Sequence, residues 1–290
     1  MKYPSLYDFT NKRSASYQRR YFFFLKLEYC ILICSAVNAF INYEWKYVVA
    51  LFLFTALMLL MIFNFKKKSE QEWYKYRAIT ESIKTVSWKF SMRAEPFNDE
   101  SEARNIESLS KYLEDIVGGS EFISKSIDPK KIDESTITDD MKKIRLLTFE
   151  QRRDVYLDGR ITDQRDWYVA KAQFNKDAGK KWNIGMFCIY AIAFVCCLFN
   201  AYVSEPNNAI PISVLTTVAS SLVGWIQVKR YSELSASYLL TAHEIGVIKE
   251  QSSYISSEND FSSFIRDAET AFSREHTQWI ARRVANRKTK

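Results

Sequence analysis

Imidazoles and thiols, which most metal and hydrolytic mechanisms use, number only two and five in this 290-residue chain, and their spacing supports little chemistry. His243 and Glu244 open a stretch like that of a zinc-protease helix, but the position that must hold the second histidine is Val247. All five cysteines, Cys30, Cys34, Cys188, Cys196 and Cys197, lie inside apolar blocks, where they read as small packing residues. No disulfide framework or metal centre is legible, and the seven glycines form no phosphate-cradling loop. The residues point away from an enzyme and require no metal and no cofactor. What remains as chemistry is a set of polar side chains placed inside apolar segments, where hydrocarbon offers them no partner.

The clearest set lies in Ile210 to Val228, nineteen residues without a charge, the length an α-helix needs to cross a bilayer. Ser213, Thr217, Ser220, Gly224 and Gln227 recur there at steps of four, three, four and three, so they share one helix face. In lipid, a small polar face points at another helix or at water: it either permits close packing or lines a conducting path. A second face carries Glu28, Ser35 and Asn38 in the apolar block Tyr21 to Ile41. Glu28 lies about 9 Å along the helix from Phe22 at 1.5 Å per residue, too deep for a short side chain to reach the interface easily. Either the carboxylate is buried and functional, or the membrane begins after it and the span is short or tilted.

These faces need apolar helices to carry them, and the chain supplies four: Tyr21 to Ile41, Tyr47 to Phe65, Trp182 to Val203 and Ile210 to Val228. A charged content of 26% hides them, because the apolar residues are concentrated in a few blocks. Only seven Gly and five Pro occur, so the chain reads as an all-α membrane protein: four transmembrane helices in two hairpins, with long cytoplasmic helices forming a helical body. The second span carries no charge and is expected to face lipid or the outside of an assembly. Lys46 is the only basic residue of the two outer turns. Arg19, Arg20, Lys66, Lys67, Lys68, Lys180, Lys181, Lys229 and Arg230 flank the other side, which places both termini in the cytoplasm. The same cations suit anionic lipid and, after that, a nucleotide or oligonucleotide ligand.

Among the soluble segments, Trp73, Tyr76, Thr80, Ile83, Ser87 and Phe90 form a seam at coiled-coil spacing, ended near Pro96. Ala103 to Val117 is a further amphipathic helix with Ile106, Leu109, Leu113 and Ile116 on one side, and Ser120 to Thr138 reads as loop. Thr138 looks like a helix start, after which the pattern stays helical into the third span with Gly159 as its weak point. Tyr231, Leu234, Tyr238, Thr241, Ile245 and Ile248 make another seam, and a last helix runs from about Phe261 to Arg283. The expected division is 1–95, a membrane hairpin with its cytoplasmic helix; 96–137, a helical insert and loop; and 138–290, a second hairpin with flanking helices. The layout repeats: a shift of 163 residues puts Lys66 and Lys67 over Lys229 and Arg230, and Glu81 over Glu244.

RITDQRDWYVAKAQFNK before the third span, the series Trp73, Arg77, Glu81, Lys84 and Trp88, and the closing EHTQW of Glu275 to Trp279 resemble the SLATT family of two-helix membrane effector domains, here as two fused units. The resemblance implies a bacterial anti-phage effector, encoded beside a nucleotidyltransferase or nucleotide-sensing partner, that disrupts the inner membrane when infection is signalled; with the polar faces, the leading reading is a homo-oligomer that forms a pore or disrupts the membrane. Trp73, Arg77, Glu81 and Lys84, with His243, Glu244, Glu275, His276 and Trp279, are read as packing and pairing residues of the cytoplasmic body or as a regulatory site within it. An ordinary ion channel or transporter and a non-conducting membrane scaffold are the alternatives.

Overall fold

The computed structural model describes residues 1–118, 136–202 and 211–272, and every regular element among them is helical. In order these are α1 (Ser5–Phe40), α2 (Lys46–Lys67), α3 (Ser69–Ser91), α4 (Glu102–Gly118), α5 (Asp139–Arg145), α6 (Phe149–Tyr156), a π-helical turn Leu157–Thr162, α7 (Asp163–Tyr202), α8 (Ile212–Lys229), α9 (Tyr231–Gln251), a 3₁₀ turn Ser252–Tyr254 and α10, from 258 to the last described residue, 272. Four helical stretches are long and apolar enough to cross a membrane. The outer turn SEPNNA, most of the loop after Ser120 and the end of the last helix with its basic tail lie outside the described residues.

The chain divides into two compact units. An apolar unit comprises Arg19–Ser69 and Val169–Leu240; a polar unit comprises Met1–Gln18, Glu70–Tyr168 and Thr241–Lys290. In the polar unit the α3 seam is buried along its whole length, from Trp73 through Tyr76, Thr80, Ile83 and Ser87 to Phe90. Ile83, Val86 and Phe90 join Leu6, Phe97, Leu109, Leu113, Ile137 and Met141 in one core, where each large side chain contributes about 2 kcal/mol on burial. The polar N-terminal segment packs into this core. Leu6, Thr10 and Ser14 recur every four residues and are all buried, and the Thr80 hydroxyl donates to Thr10 Oγ1 at 2.9 Å. Small hydroxyls on a buried face escape an apolar-periodicity reading, so the helix starts well before the span.

The helix expected from Thr138 onward is interrupted. Thr138 does cap α5, accepting from Met141 N at 3.3 Å. The chain then turns at Leu146, and a second cap, Thr148 with Gln151 in a reciprocal capping box, opens α6. Next comes the π turn around Gly159. At the far end of α3, Arg93 adopts a positive φ of 56° while Ala94 N donates to Lys89 O at 2.9 Å, the bonding of a Schellman stop.

Within the apolar unit α1 meets two partners: Phe24 packs on Phe63 of α2 at 5.1 Å between ring centres, and Phe22 on Trp225 of α8 at 5.9 Å. No α2 residue is buried, in keeping with a helix turned to lipid. Both returning spans stop in the same way, with Lys68 at φ 44° and Arg230 at φ 51°, each donating its N–H back to the carbonyl four residues earlier. Position 68 thus matches position 230, an offset of 162, which also matches the starts of α3 and α9. The sequence-derived shift of 163 is one residue too long, because it aligned the basic residues rather than the left-handed cap. Glu81 then falls on His243, not on Glu244.

At Gly224, α8 lies close against α1: a Cβ there would stand 2.5 Å from Tyr29 Oη and 3.2 Å from Cζ. Gly224→Ala is expected to destabilise the full chain in detergent by about 1 kcal/mol, read as a lower Tm, and Tyr29→Phe in the same chain to restore most of the loss. No loss in the single variant, or no recovery in the double, would contradict this close contact.

Candidate functional site

The face expected on the fourth span is only partly used by the single chain. Ser213, Ser220 and Gln227 are exposed, while Thr217 and Gly224 are half-buried. The residues that pack α8 are Ala219, Ser221 and Trp225, offset from the small polar stripe. On α1 the expected face splits. Glu28 is exposed, Ser35 is half-buried and donates back to Ile31 O at 2.9 Å, and Asn38 is buried. Asn38 donates its amide to Lys46 O at 3.1 Å and accepts from the Tyr43 hydroxyl, so it closes the turn between α1 and α2. Glu28 and the stripe meet only indirectly, through Tyr29 against Gly224. Arg19, Arg20, Lys66, Lys67, Lys68, Lys180 and Lys181 are all exposed, Lys229 and Arg230 half-exposed, and Arg230 pairs with Glu233. The cysteines, expected to pack, are mostly exposed on these helices.

In the polar unit Trp73 is buried and stacks on Tyr74 at 4.6 Å, and Arg77 pairs with Glu81 at 2.6 Å one turn on. Lys84 points elsewhere, donating to Gln164 Oε1 at 3.1 Å. His243 and Glu244 are exposed on α9 and do not join this set. Glu275, His276 and Trp279 lie outside the described residues.

What Lys84 approaches is a buried ionic network that the sequence reading passed over. Arg160, 2% exposed and in the π turn, grips the fully buried Glu269 of α10 with two hydrogen bonds of 2.7 Å, from Nε to Oε1 and from Nη2 to Oε2. Tyr156 donates to Oε1 at 3.1 Å and Thr85 to Oε2 at 2.9 Å, while Arg160 Nη1 reaches Gln164 at 3.2 Å. Trp88 lies edge-on to Tyr156 at 5.7 Å and donates its indole N–H to Tyr3 at 2.9 Å. Inserted π turns gather at functional sites, because the extra residue re-aims side chains that an α-helix would not bring together. A signal for the network was present. Glu269 occupies a position on the apolar face of Phe261, Ile265, Ala268 and Phe272, where a charge requires a partner, and Arg160 opens the motif that carried the family resemblance.

Electrostatics divides this network unequally. Burial opposes the charge on Arg160, but Glu269 outweighs it and holds the guanidinium above its ordinary pKa. Burial and the nearby carboxylate push the Tyr156 hydroxyl well up. Lys84 has no carboxylate in hydrogen-bond range among the described residues; burial, then the charge of Arg160, lower its pKa from 10.5 to about 8. A separate cleft in the same unit is lined by Phe90, Arg93, Glu102, Ile137, Arg145 and Leu146. Its buried cation, Arg145, is fully engaged by Glu102 at 2.8 Å and by the carbonyls of Phe90 and Phe97.

Four span-length helices in two hairpins, each returning to a left-handed basic cap and a further helix, define a duplicated two-span membrane protein. Residues 4–153 match the SMODS and SLOG-associating 2TM effector domain 3, and residues 156–279 match the SMODS and SLOG-associating 2TM effector domain 1. The chain belongs to the SLATT family and carries two of its domains in tandem. No curated protein and no solved structure matches it.

The lowered pKa of Lys84 yields a pH test. Between about pH 8 and 10.5 the unfolded chain holds a proton at this lysine that the folded chain has released, so stability rises with pH across that window, and the penalty is full below pH 8. The Lys84→Met variant is expected to be more stable than the parent by about 1–2 kcal/mol at pH 7, with the difference shrinking as pH passes 9. Thermal unfolding of both proteins at pH 7 and 9.5 measures it; a pH-independent difference would show that Lys84 is charged without penalty.

Proposed function

We propose that this chain is a membrane effector of bacterial anti-phage defence, which assembles with copies of itself in the inner membrane and, on a nucleotide-type signal or through a signalling partner, opens a pore or disrupts the bilayer. Membership of a family of two-span effector domains supports the class. The observation that carries the finer reading is the outer surface of the apolar unit. Glu28, Ser213, Ser220 and Gln227 are all exposed on a single chain, although each lies in a stretch long and apolar enough to cross a membrane. Hydrocarbon gives such groups no partner, and another copy or water would supply one. The basic residues at one end of the four spans favour an orientation with both termini in the cytoplasm. The polar unit then faces the compartment where a nucleotide made by a partner nucleotidyltransferase would appear.

Dye release from liposomes that hold the purified full chain tests the reading, with and without cytosolic nucleotides. Release is expected; intact liposomes under every condition, with the protein inserted, would favour a non-conducting scaffold, and selective ion flux without dye loss would favour a channel. At position 220 the two uses of the stripe separate. If Ser220 packs against a second copy, Ser220→Leu lowers the oligomer fraction and Ser220→Asp lowers it further, a lone charge in a span costing about 3 kcal/mol. If it lines a wet path, Ser220→Asp assembles and conducts with a raised cation preference. Reporters fused after Lys290 or inserted near Ser120 are expected to read as cytoplasmic, and an external reading at either site contradicts the four-span topology.

A further inference from the structure

Two aromatic rings of the apolar unit each hold two cations supplied by two different helices. Phe63 of α2 has the Arg20 guanidinium 5.9 Å and the Lys67 ammonium 5.8 Å from its centre. Trp225 of α8 has the Lys26 ammonium at 5.5 Å and the Lys229 ammonium at 5.0 Å. The offset that takes position 68 to position 230 also takes 63 to 225 and 67 to 229, so the ring and the cation one turn after it are the same element built twice.

At Trp225 the arrangement is incomplete in two respects. Neither Lys26 nor Lys229 has a carboxylate partner among the described residues, whereas the adjoining Arg230 has Glu233. Rings attract cations but do not neutralise them, and two ammonium groups held over one indole repel each other. The indole itself is only 9% exposed, and its Nε1 is buried with no acceptor. Such a donor is costly to leave unpaired. One species remedies both deficits: a tetrahedral anion whose oxygens accept from two ammonium groups and an indole N–H together. Lys26 is exposed, which gives the site an open side, while Lys229 and Phe22, 3.5 Å apart from ammonium to ring centre, form its inner wall.

We propose that Lys26, Lys229 and the Trp225 indole N–H form a phosphate-binding site between α1 and α8. The phosphate comes from the headgroup of an anionic lipid or from a phosphate-bearing solute. The lipid source rests on the reading that α1 and α8 lie in a bilayer; basic pockets between spans on the cytoplasmic side are where lipid phosphates bind. The repeat at Phe63 keeps the cations but has no N–H to offer, so the site is confined to the second copy of the element.

Native mass spectrometry of the full chain in neutral detergent, titrated with phosphatidylglycerol and separately with phosphatidylcholine, tests the site. Tight binding is expected for phosphatidylglycerol alone, weakened roughly twenty-five-fold in Lys26→Gln/Lys229→Gln at about fivefold per lysine. Trp225→Phe, which keeps both cations and a ring, is expected to weaken it severalfold, and Lys26→Arg/Lys229→Arg to retain most of it. Lys66→Gln/Lys68→Gln loses the same charge at exposed residues of the other hairpin and serves as control. If the double glutamine variant binds as tightly as the parent, or no more weakly than that control, the site is overturned; circular dichroism and elution volume establish that the variants fold. Displacement of the lipid by millimolar inorganic phosphate assigns the site to a free phosphate, and resistance to it assigns the site to the headgroup. Alkaline extraction tests the bilayer reading separately: a chain washed off membranes refutes that reading, while phosphate binding by the detergent-purified chain stands or falls by the titration.

Discussion

A carboxylate and a guanidinium closed off from water fix the interior of the polar unit. Desolvating each ion costs several kcal/mol, and only a bidentate pair with its remaining valences filled offsets that. Glu269 meets the requirement completely, each oxygen accepting one bond from Arg160 and one from a hydroxyl, Tyr156 or Thr85. Those four donors come from α3, α6 and the π turn, so the pair dictates the approach of three segments to α10. The π turn follows from the same demand. One extra residue offsets the face that α7 presents by about 100° relative to α6, which leaves Arg160 inward and lets Gln164 bridge it to Lys84.

The network also binds the two family domains to each other within one unit. Thr85 and Lys84 belong to the segment matched by the first domain; Tyr156, Arg160, Gln164 and Glu269 belong to the second. A single two-span domain would hold either the acid and its guanidinium without Thr85, or Lys84 without the glutamine that receives it. Lys84 is the member the network holds least firmly, since its proton is opposed by burial and by Arg160 while the carboxylate is taken.

Legibility followed chemistry. Where burial is apolar, as along the α3 seam or at Leu109 and Leu113 of α4, the 3.6-residue period marks the inward face directly. Burial through hydroxyls leaves no such trace, so the Leu6, Thr10, Ser14 face was invisible to periodicity, while a buried charge shows only as a misfit, as Glu269 does on the apolar face of α10. The capping box of Thr148 and Gln151 was readable as a local signal and was overridden by the helical pattern on both sides. The repeat was correct in layout and one residue out in register, because lysines flanking a span tolerate displacement and a left-handed cap does not. Of the candidate membrane residues, Asn38 proved to be a turn lock and Gly224 a contact, leaving Glu28, Ser213, Ser220 and Gln227 on the outside.

Those four do not weigh equally on the case for assembly. Hydroxyls in a helix can return their hydrogen bond to the carbonyl one turn back, as Thr216, Thr217 and Ser221 do at 2.8–3.0 Å, so a serine facing lipid is a small liability. Gln227 cannot hide its amide in that way, but it stands two residues before Lys229, at the level where head groups and water begin. Glu28 has neither recourse. It is exposed on the single chain, it lies more than a helical turn beyond Phe22, which meets Lys229 near the basic end of the spans, and no ion-pair partner stands beside it among the described residues. A carboxylate so placed either draws water inward or meets a donor on a second copy. Either gives the chain a reason to assemble, and it is at this side chain, more than along the serine stripe, that the case for assembly rests.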